Sequence, residues 1–115
     1  MRKVSITFTL LAAVLMFQFC SSSKKAAAAK EVAVTYDANV KPVIQATCAP
    51  CHIAGKGNKK PLDNFTDARS VADDMIARIQ KSPEERGFMP FKHPKLSDAD
   101  IAVFVGWKKT GLKEK

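Results

Sequence analysis

Three segments of the chain carry apolar residues at helical spacing, and each is expected to bury one face of a helix. In the first segment Val40, Ile44 and Cys48 recur at four-residue steps, which predicts a helix from about residue 37 to residue 48. Pro42 falls in the first turn of that helix, where a missing backbone N–H costs no hydrogen bond. The helix is therefore expected to present Cys48 on the same face as its buried residues.

The second segment predicts a helix over residues 67–81. Its apolar face is formed by Val71, Met75 and Ile79, again at four-residue steps. Thr66 immediately precedes it and is placed to cap the first turn by accepting a backbone N–H.

The third segment predicts a helix that begins at Ser97. Ser97 and Asp100 have the spacing of a capping box, with Asp in the position where Glu is usual. Ile101 and Phe104 follow at helical spacing, and Gly111 is placed to end the helix. This helix is the expected partner of the first one, so the pattern predicts a small all-α domain.

The chain begins with a basic pair, Arg2 and Lys3, followed by a mainly apolar run of sixteen residues from Val4 to Phe19. A charged start and an apolar run of this length are typical of a secretory signal peptide. The run is shorter than the ~20 residues of a membrane-spanning helix. We therefore predict a signal peptide over residues 1–20, with cleavage as late as residue 29 and an uncleaved membrane anchor as alternatives.

The third cysteine of the chain, Cys20, directly follows this apolar run. A cysteine in this position resembles the lipidated first residue of a bacterial lipoprotein, although Phe19 is larger than the residue that usually precedes it. Ordinary cleavage after Ser23 or after Ala29 is the competing hypothesis. Residues 21–34 are rich in Ser, Lys and Ala and predict a flexible linker.

The remaining residues, 35–115, suffice for one small domain. The formal net charge is +8, but from Lys30 onward 15 Lys or Arg face 11 Asp or Glu, which leaves +4. No basic stripe alternates with aromatic residues, so nucleic acid is not an expected partner. A moderate positive charge suits either transient docking on an acidic protein or solubility alone.

The most specific motif is Cys48-Ala-Pro-Cys51-His52. Its C-x-x-C-H spacing is that of a c-type haem attachment site, in which two thioether bonds join the thiols to the haem. The tether brings the following residue, His52, under the iron as an axial ligand. One covalently bound haem c with its iron is therefore the predicted cofactor.

Four other interpretations of the motif compete with haem attachment. A thioredoxin-like redox pair needs a βαβ context, which the pattern does not provide. A structural zinc site needs four ligands, and after His52 the chain offers only His93. A metal-binding module without haem, or a chance occurrence in a surface loop, are the remaining alternatives.

A glycine-rich polar loop follows the motif and ends at Pro61. An iron-bound histidine usually donates its second ring N–H to a carbonyl, which fixes the ring orientation. The backbone oxygen of Pro61 is the predicted acceptor for His52.

A second loop, residues 87–94, contains two prolines that exclude a regular helix. Two of the four methionines lie in the leader, and Met75 belongs to a helical apolar face, which leaves Met89 in this loop. A Met thioether as sixth iron ligand raises the reduction potential. His93 is the competing ligand.

Together these features resemble a small monohaem cytochrome c of class I, over about residues 35–112. The resemblance follows the chain through the N-terminal helix, Cys48-x-x-Cys51-His52, Pro61-Leu62, the middle helix, Met89-Pro90, and Leu96-Ser97 through Ile101 to Trp107. It implies an all-α orthogonal bundle closed around haem c. It also implies thioethers at Cys48 and Cys51, with His52 as proximal and Met89 as distal ligand.

The expected function is one-electron transfer in a periplasmic or other extracytoplasmic chain, without enzymatic activity. Redox proteins are the expected partners, and five lysines are placed to surround the haem edge: Lys56, Lys59, Lys60, Lys92 and Lys95. A lipid on Cys20 would add membrane attachment. The alternative is a haem enzyme subunit or ligand sensor with an open or labile sixth iron position.

Overall fold

The computed structural model describes residues 32–115, and this part of the chain is helical without a β-strand. A π-helical turn at Tyr36–Val40 leads into α1, and three more helices follow: α1 Lys41–Thr47, α2 Phe65–Ser70, α3 Ala72–Gln80 and α4 Asp98–Lys109. Long irregular segments connect α1 to α2 and α3 to α4. A single parallel β-bridge joins Thr35 to Lys113.

The first predicted helix is present, but it begins as a widened turn. The N–H of Val40 donates to the carbonyl of Thr35, five residues back, at 3.3 Å. Pro42 has no N–H for the carbonyl four residues before it and its ring would clash there, so the wide turn lies just ahead of it. Val40 and Ile44 are fully buried as predicted, and Cys48 is the first residue after α1.

The second predicted helix is divided into two. The helical path breaks at Val71 (φ −124°), which separates α2 from α3. The cap is also different from the predicted Thr66, because Asn64 accepts the N–H of Asp67 at 2.9 Å. Asn and Asp are stronger caps than Thr, and an N-cap side chain reaches the N–H two or three residues on.

The third predicted helix is confirmed, including its cap. The hydroxyl of Ser97 accepts the N–H of Asp100 at 3.1 Å and donates to its carboxylate at 2.7 Å. The helix ends at Lys109, and Gly111 follows in the left-handed region at φ +91°.

The two ends of the described chain are fastened together. The N–H of Tyr36 donates to the carbonyl of Lys113 at 2.9 Å, and that of Asp37 to Glu114 at 3.0 Å. The Trp107 indole donates to the same Lys113 carbonyl at 2.8 Å. These bonds fix the first helical turn against the end of α4.

An aromatic cluster lies where these ends meet. The ring centroid of Tyr36 is 5.8 Å from those of both Phe65 and Trp107. Tyr36 and Trp107 are at most 1% exposed, and such ring pairs add to the stabilisation that burial alone provides. The cluster joins the first turn, α2 and α4 into one core.

The predicted leader, residues 1–20, and Cys20 itself lie outside the described residues, as does all of the predicted linker before residue 32. Within residues 32–115, none of the helices has the length and apolar content that a membrane crossing requires.

The Tyr36 hydroxyl provides a pH-dependent test of this core. It donates to the carbonyl of Leu62 at 2.7 Å, and burial, with Asp63 and Asp37 nearby, raises its pKa from 10.0 to about 12. The folded state therefore keeps this proton when the unfolded chain has lost it, and stability falls as the pH rises from 10 through 12.

We expect Tyr36→Phe to lower the free energy of unfolding by about 1 kcal/mol at pH 8, because the Leu62 carbonyl loses its partner. This deficit should shrink between pH 10 and pH 12, because Tyr36 ionises in the unfolded wild-type chain over this range but not in the folded one, whereas phenylalanine has no proton to lose. Urea denaturation at a series of pH values measures both effects. A difference that stays constant up to pH 12 would contradict the raised pKa.

Candidate haem site

One cavity of about 500 Å³ brings the predicted site residues together. Cys48, Cys51, His52 and Met89 all line it, although up to 41 positions separate them in sequence. The other walls come from α3 and from the segments around Leu62 and Leu96, and they are mostly apolar. The cavity therefore joins the two loops that the sequence singled out.

The end of α1 sets the position of the first thiol. The N–H of Cys48 donates to the carbonyl of Ile44 at 2.9 Å, so its backbone continues the helix that Ile44, fully buried, holds in the core. Burial raises the pKa of the Cys48 thiol, and the nearby Thr47 hydroxyl partly offsets this. Both Cys48 and Cys51 are free thiols, and Cys51 is exposed.

The His52 ring is fixed by a backbone carbonyl, but one residue earlier than predicted. Its Nδ1 lies 2.8 Å from the oxygen of Lys60, not of Pro61. The N–H of Leu62 also donates to the carbonyl of His52, at 2.8 Å. In extended backbone the C=O of one residue and the N–H two residues later point the same way, so Pro61 directs its oxygen away from the ring.

Gly57 contributes to the site in a way that the sequence did not reveal. A Cβ on Gly57 would overlap the backbone carbonyl of Cys51. The loop also returns to the motif through the N–H of Lys59, which donates to that Cys51 oxygen at 3.3 Å. Only glycine permits such close backbone approach; the loop's composition indicated irregular structure but not this contact.

The second loop contributes both Met89 and His93 to the lining of this cavity. The N–H of Met89 donates to the carbonyl of Arg78 at 3.3 Å, which attaches the loop to α3. Phe88, just before Met89, is 8% exposed and anchors the loop in the interior. Both candidate sixth ligands thus face the cavity, so the cavity lining does not decide between them.

Some residues considered from sequence lie elsewhere. Lys59 and Lys60 are among the lining residues, whereas Lys56, Lys92 and Lys95 are not. In residues 32–115, no three His, Cys, Asp or Glu side chains are grouped so that they could hold a metal ion together. A zinc cluster built from the motif is therefore not assembled there.

Comparison with known families decides the class of protein. The model of the family described as cytochrome c oxidase, cbb3-type, subunit III matches residues 37–107. The chain belongs to this family. It is a small c-type cytochrome with an all-α fold, as the sequence predicted. No curated protein and no solved structure matches the chain.

Membership of this family implies covalently bound haem c with its iron. The cytochrome's cavity fits such a group chemically. It offers two free thiols, an imidazole whose Nδ1 is already engaged so that Nε2 is left for a metal, and a thioether. Its volume and apolar lining are also those of a cofactor site.

Gly57 allows the geometry of the motif to be tested. We expect Gly57→Ala to reduce haem content severalfold, because the added methyl displaces the Cys51 carbonyl. The matched control is Gly55→Ala, since Gly55 has φ +72° but no atom within 4 Å of its added Cβ. That variant should lose roughly 1–2 kcal/mol of stability with normal haem content.

Haem per polypeptide, measured as the pyridine haemochrome, and urea denaturation together separate the two effects. Equal haem content in both variants would show that the approach of Gly57 to Cys51 is not required.

Proposed function

We propose that this cytochrome is a one-electron carrier that works outside the cytoplasm and has no enzymatic activity of its own. In this proposal Cys48 and Cys51 form the thioethers, and His52 and Met89 are the axial iron ligands. The observation that supports it is that all four side chains line one cavity. One haem per chain is proposed, since the chain contains one C-x-x-C-H motif.

The bound haem supplies an iron that alternates between the ferrous and ferric states. The residues of the chain keep the environment of the iron the same in both states. The Lys60 carbonyl orients His52 through Nδ1, which also makes the ring a stronger donor. The Met89 thioether favours the reduced state, and apolar walls such as Ile79 and Leu96 exclude water.

Two candidate axial ligands in one cavity, His52 and Met89, favour a carrier over an enzyme or gas sensor. If His52 and Met89 occupy both axial positions, a substrate must displace one of them. The only other imidazole of the chain, His93, lines the same cavity as Met89. It is the group to examine if the sixth position proves labile.

The proposed partner is a redox protein with an acidic docking surface. Lys59 and Lys60 line the cavity and are exposed, and Phe91, 68% exposed, lines it as well. An apolar side chain beside cations suits a brief encounter that charge attraction accelerates. A periplasmic location is also part of the proposal, and membrane attachment through a lipid on Cys20 is the alternative to removal of Cys20 with the leader.

The ligand assignment is tested by a pair of substitutions that each remove one sulfur. Met75 is 7% exposed on α3 and lines the same cavity as Met89. We expect Met89→Leu to lower the midpoint potential by on the order of 100 mV, because the iron loses its thioether. Met75→Leu should leave the potential nearly unchanged, since it conserves volume in the core.

Potentiometric titration and the ferric absorption spectrum measure the outcome. An unchanged potential in Met89→Leu would transfer the sixth position to His93, and His93→Ala should then show the shift instead.

The intact mass of the mature protein from its native host tests the remaining proposals together. We expect the mass of a chain that starts between residues 21 and 30, increased by one haem. Acyl chains on a product that starts at Cys20 would establish lipidation. A mass without haem, from a host that matures such cytochromes, would contradict the proposed function.

A further inference from the structure

The loop that carries Met89 is attached to the C-terminal end of α3. Helix ends leave backbone carbonyls without intrahelical partners. The carbonyl of Arg78, near the end of α3, accepts the N–H of Met89 at 3.3 Å and that of Lys81 at 3.4 Å. The Met89 N–H thus supplies a partner for a carbonyl at the end of the helix, and the same bond fixes the position of the loop.

The side chain of Arg78 reaches the same loop. Its Nε donates to the Asp74 carboxylate at 2.7 Å, and its Nη1 donates to the carbonyl of Gly87 at 3.4 Å. Asp74 lies one helical turn earlier and orients the guanidinium plane. Arg78 therefore holds the loop at Gly87 with its side chain and at Met89 with its backbone.

Gly87 is suited to this contact. Its φ is +86°, and an added Cβ would lie 3.3 Å from Nη1 of Arg78. The residue between the two attachment points is Phe88, which is buried. Three successive residues, Gly87, Phe88 and Met89, are thus each fixed, one by a side chain, one by burial and one by a backbone bond.

We propose that Arg78 is the positioning residue for Met89, and that its guanidinium, through Gly87, holds the thioether in place for the iron. This rests on the proposed role of Met89 as axial ligand. Arg78 is suited to the task because it also lines the cavity. A planar fork bonds Asp74 and Gly87 at once, which a lysine ammonium on a flexible stem does not reproduce.

Lys81 provides a comparison within the same region. Its Nζ donates to the carbonyl of Arg86 at 2.9 Å, so it also links the end of α3 to this loop. It does not line the cavity. Removing this bond should loosen the loop's outer turn without affecting Met89.

The test uses the ferric holoprotein with imidazole as a probe that competes for the sixth iron position. We expect Arg78→Gln to raise the apparent imidazole affinity about twofold to fivefold, the factor that corresponds to one net hydrogen bond. Amide hydrogen exchange over residues 87–89 should accelerate by a similar factor. Lys81→Gln, the matched control, should leave imidazole affinity unchanged.

Arg78→Lys distinguishes positioning from charge alone. If the guanidinium must bond Asp74 and Gly87 at once, Arg78→Lys should show most of the increase in imidazole affinity that is expected for Arg78→Gln. If Arg78 acts as a cation toward a haem propionate, lysine should restore the native affinity, and the proposal is then wrong.

Gly87→Ala perturbs the same contact from the loop side. Gly111→Ala is its control, since Gly111 has φ +91° with no atom within 4 Å of an added Cβ. Both should lose stability from backbone strain, but only Gly87→Ala should bind imidazole more tightly. Equal imidazole affinities in these two variants would overturn the proposal.

Failure of the proposed ligand role gives a different result. If Met89 is not an iron ligand, Met89→Leu leaves imidazole affinity unchanged, and Arg78→Gln does so too while still accelerating exchange at residues 87–89. Unchanged exchange in Arg78→Gln would overturn the positioning role itself, whatever ligand the iron has.

Discussion

The site depends on the hydrogen bond between the His52 ring and the carbonyl of Lys60. A second hydrogen bond accompanies it. The N–H of Leu62, two residues after Lys60, donates to the backbone carbonyl of His52. The pair closes the loop after the motif and leaves one ring nitrogen for a metal. The carbonyl of Leu62 in turn accepts a hydrogen bond from the Tyr36 hydroxyl, so the ring orientation is connected to the aromatic cluster and to both ends of the described residues.

The sequence predicted the parts of the fold whose signals are local. The four-residue spacing of Val40 and Ile44 located the first helix, and Ser97 with Asp100 located the start of the last. The pattern did not reveal the break at Val71, because the periodicity of the apolar face continues across it. A one-dimensional pattern records which residues are buried but not where the backbone changes direction between them.

The candidate site could likewise be predicted from the sequence only in part. The motif at Cys48 and the loop at Met89 were recognisable because each residue type has a specific chemistry toward haem. Two further features depend on the direction of individual peptide groups. They are the use of the Lys60 carbonyl, rather than that of Pro61, as the partner of the His52 ring, and the close approach of Gly57 to Cys51. Such orientations depend on contacts between distant segments, so no motif in the sequence records them.

The walls of the cavity are also part of the hydrophobic core. Leu62, Met75, Ile79 and Leu96 are buried core residues that line the cavity as well. A group that fills this cavity removes their apolar surface from water and provides packing contacts that the protein alone does not offer. The group therefore completes the core as well as the redox centre.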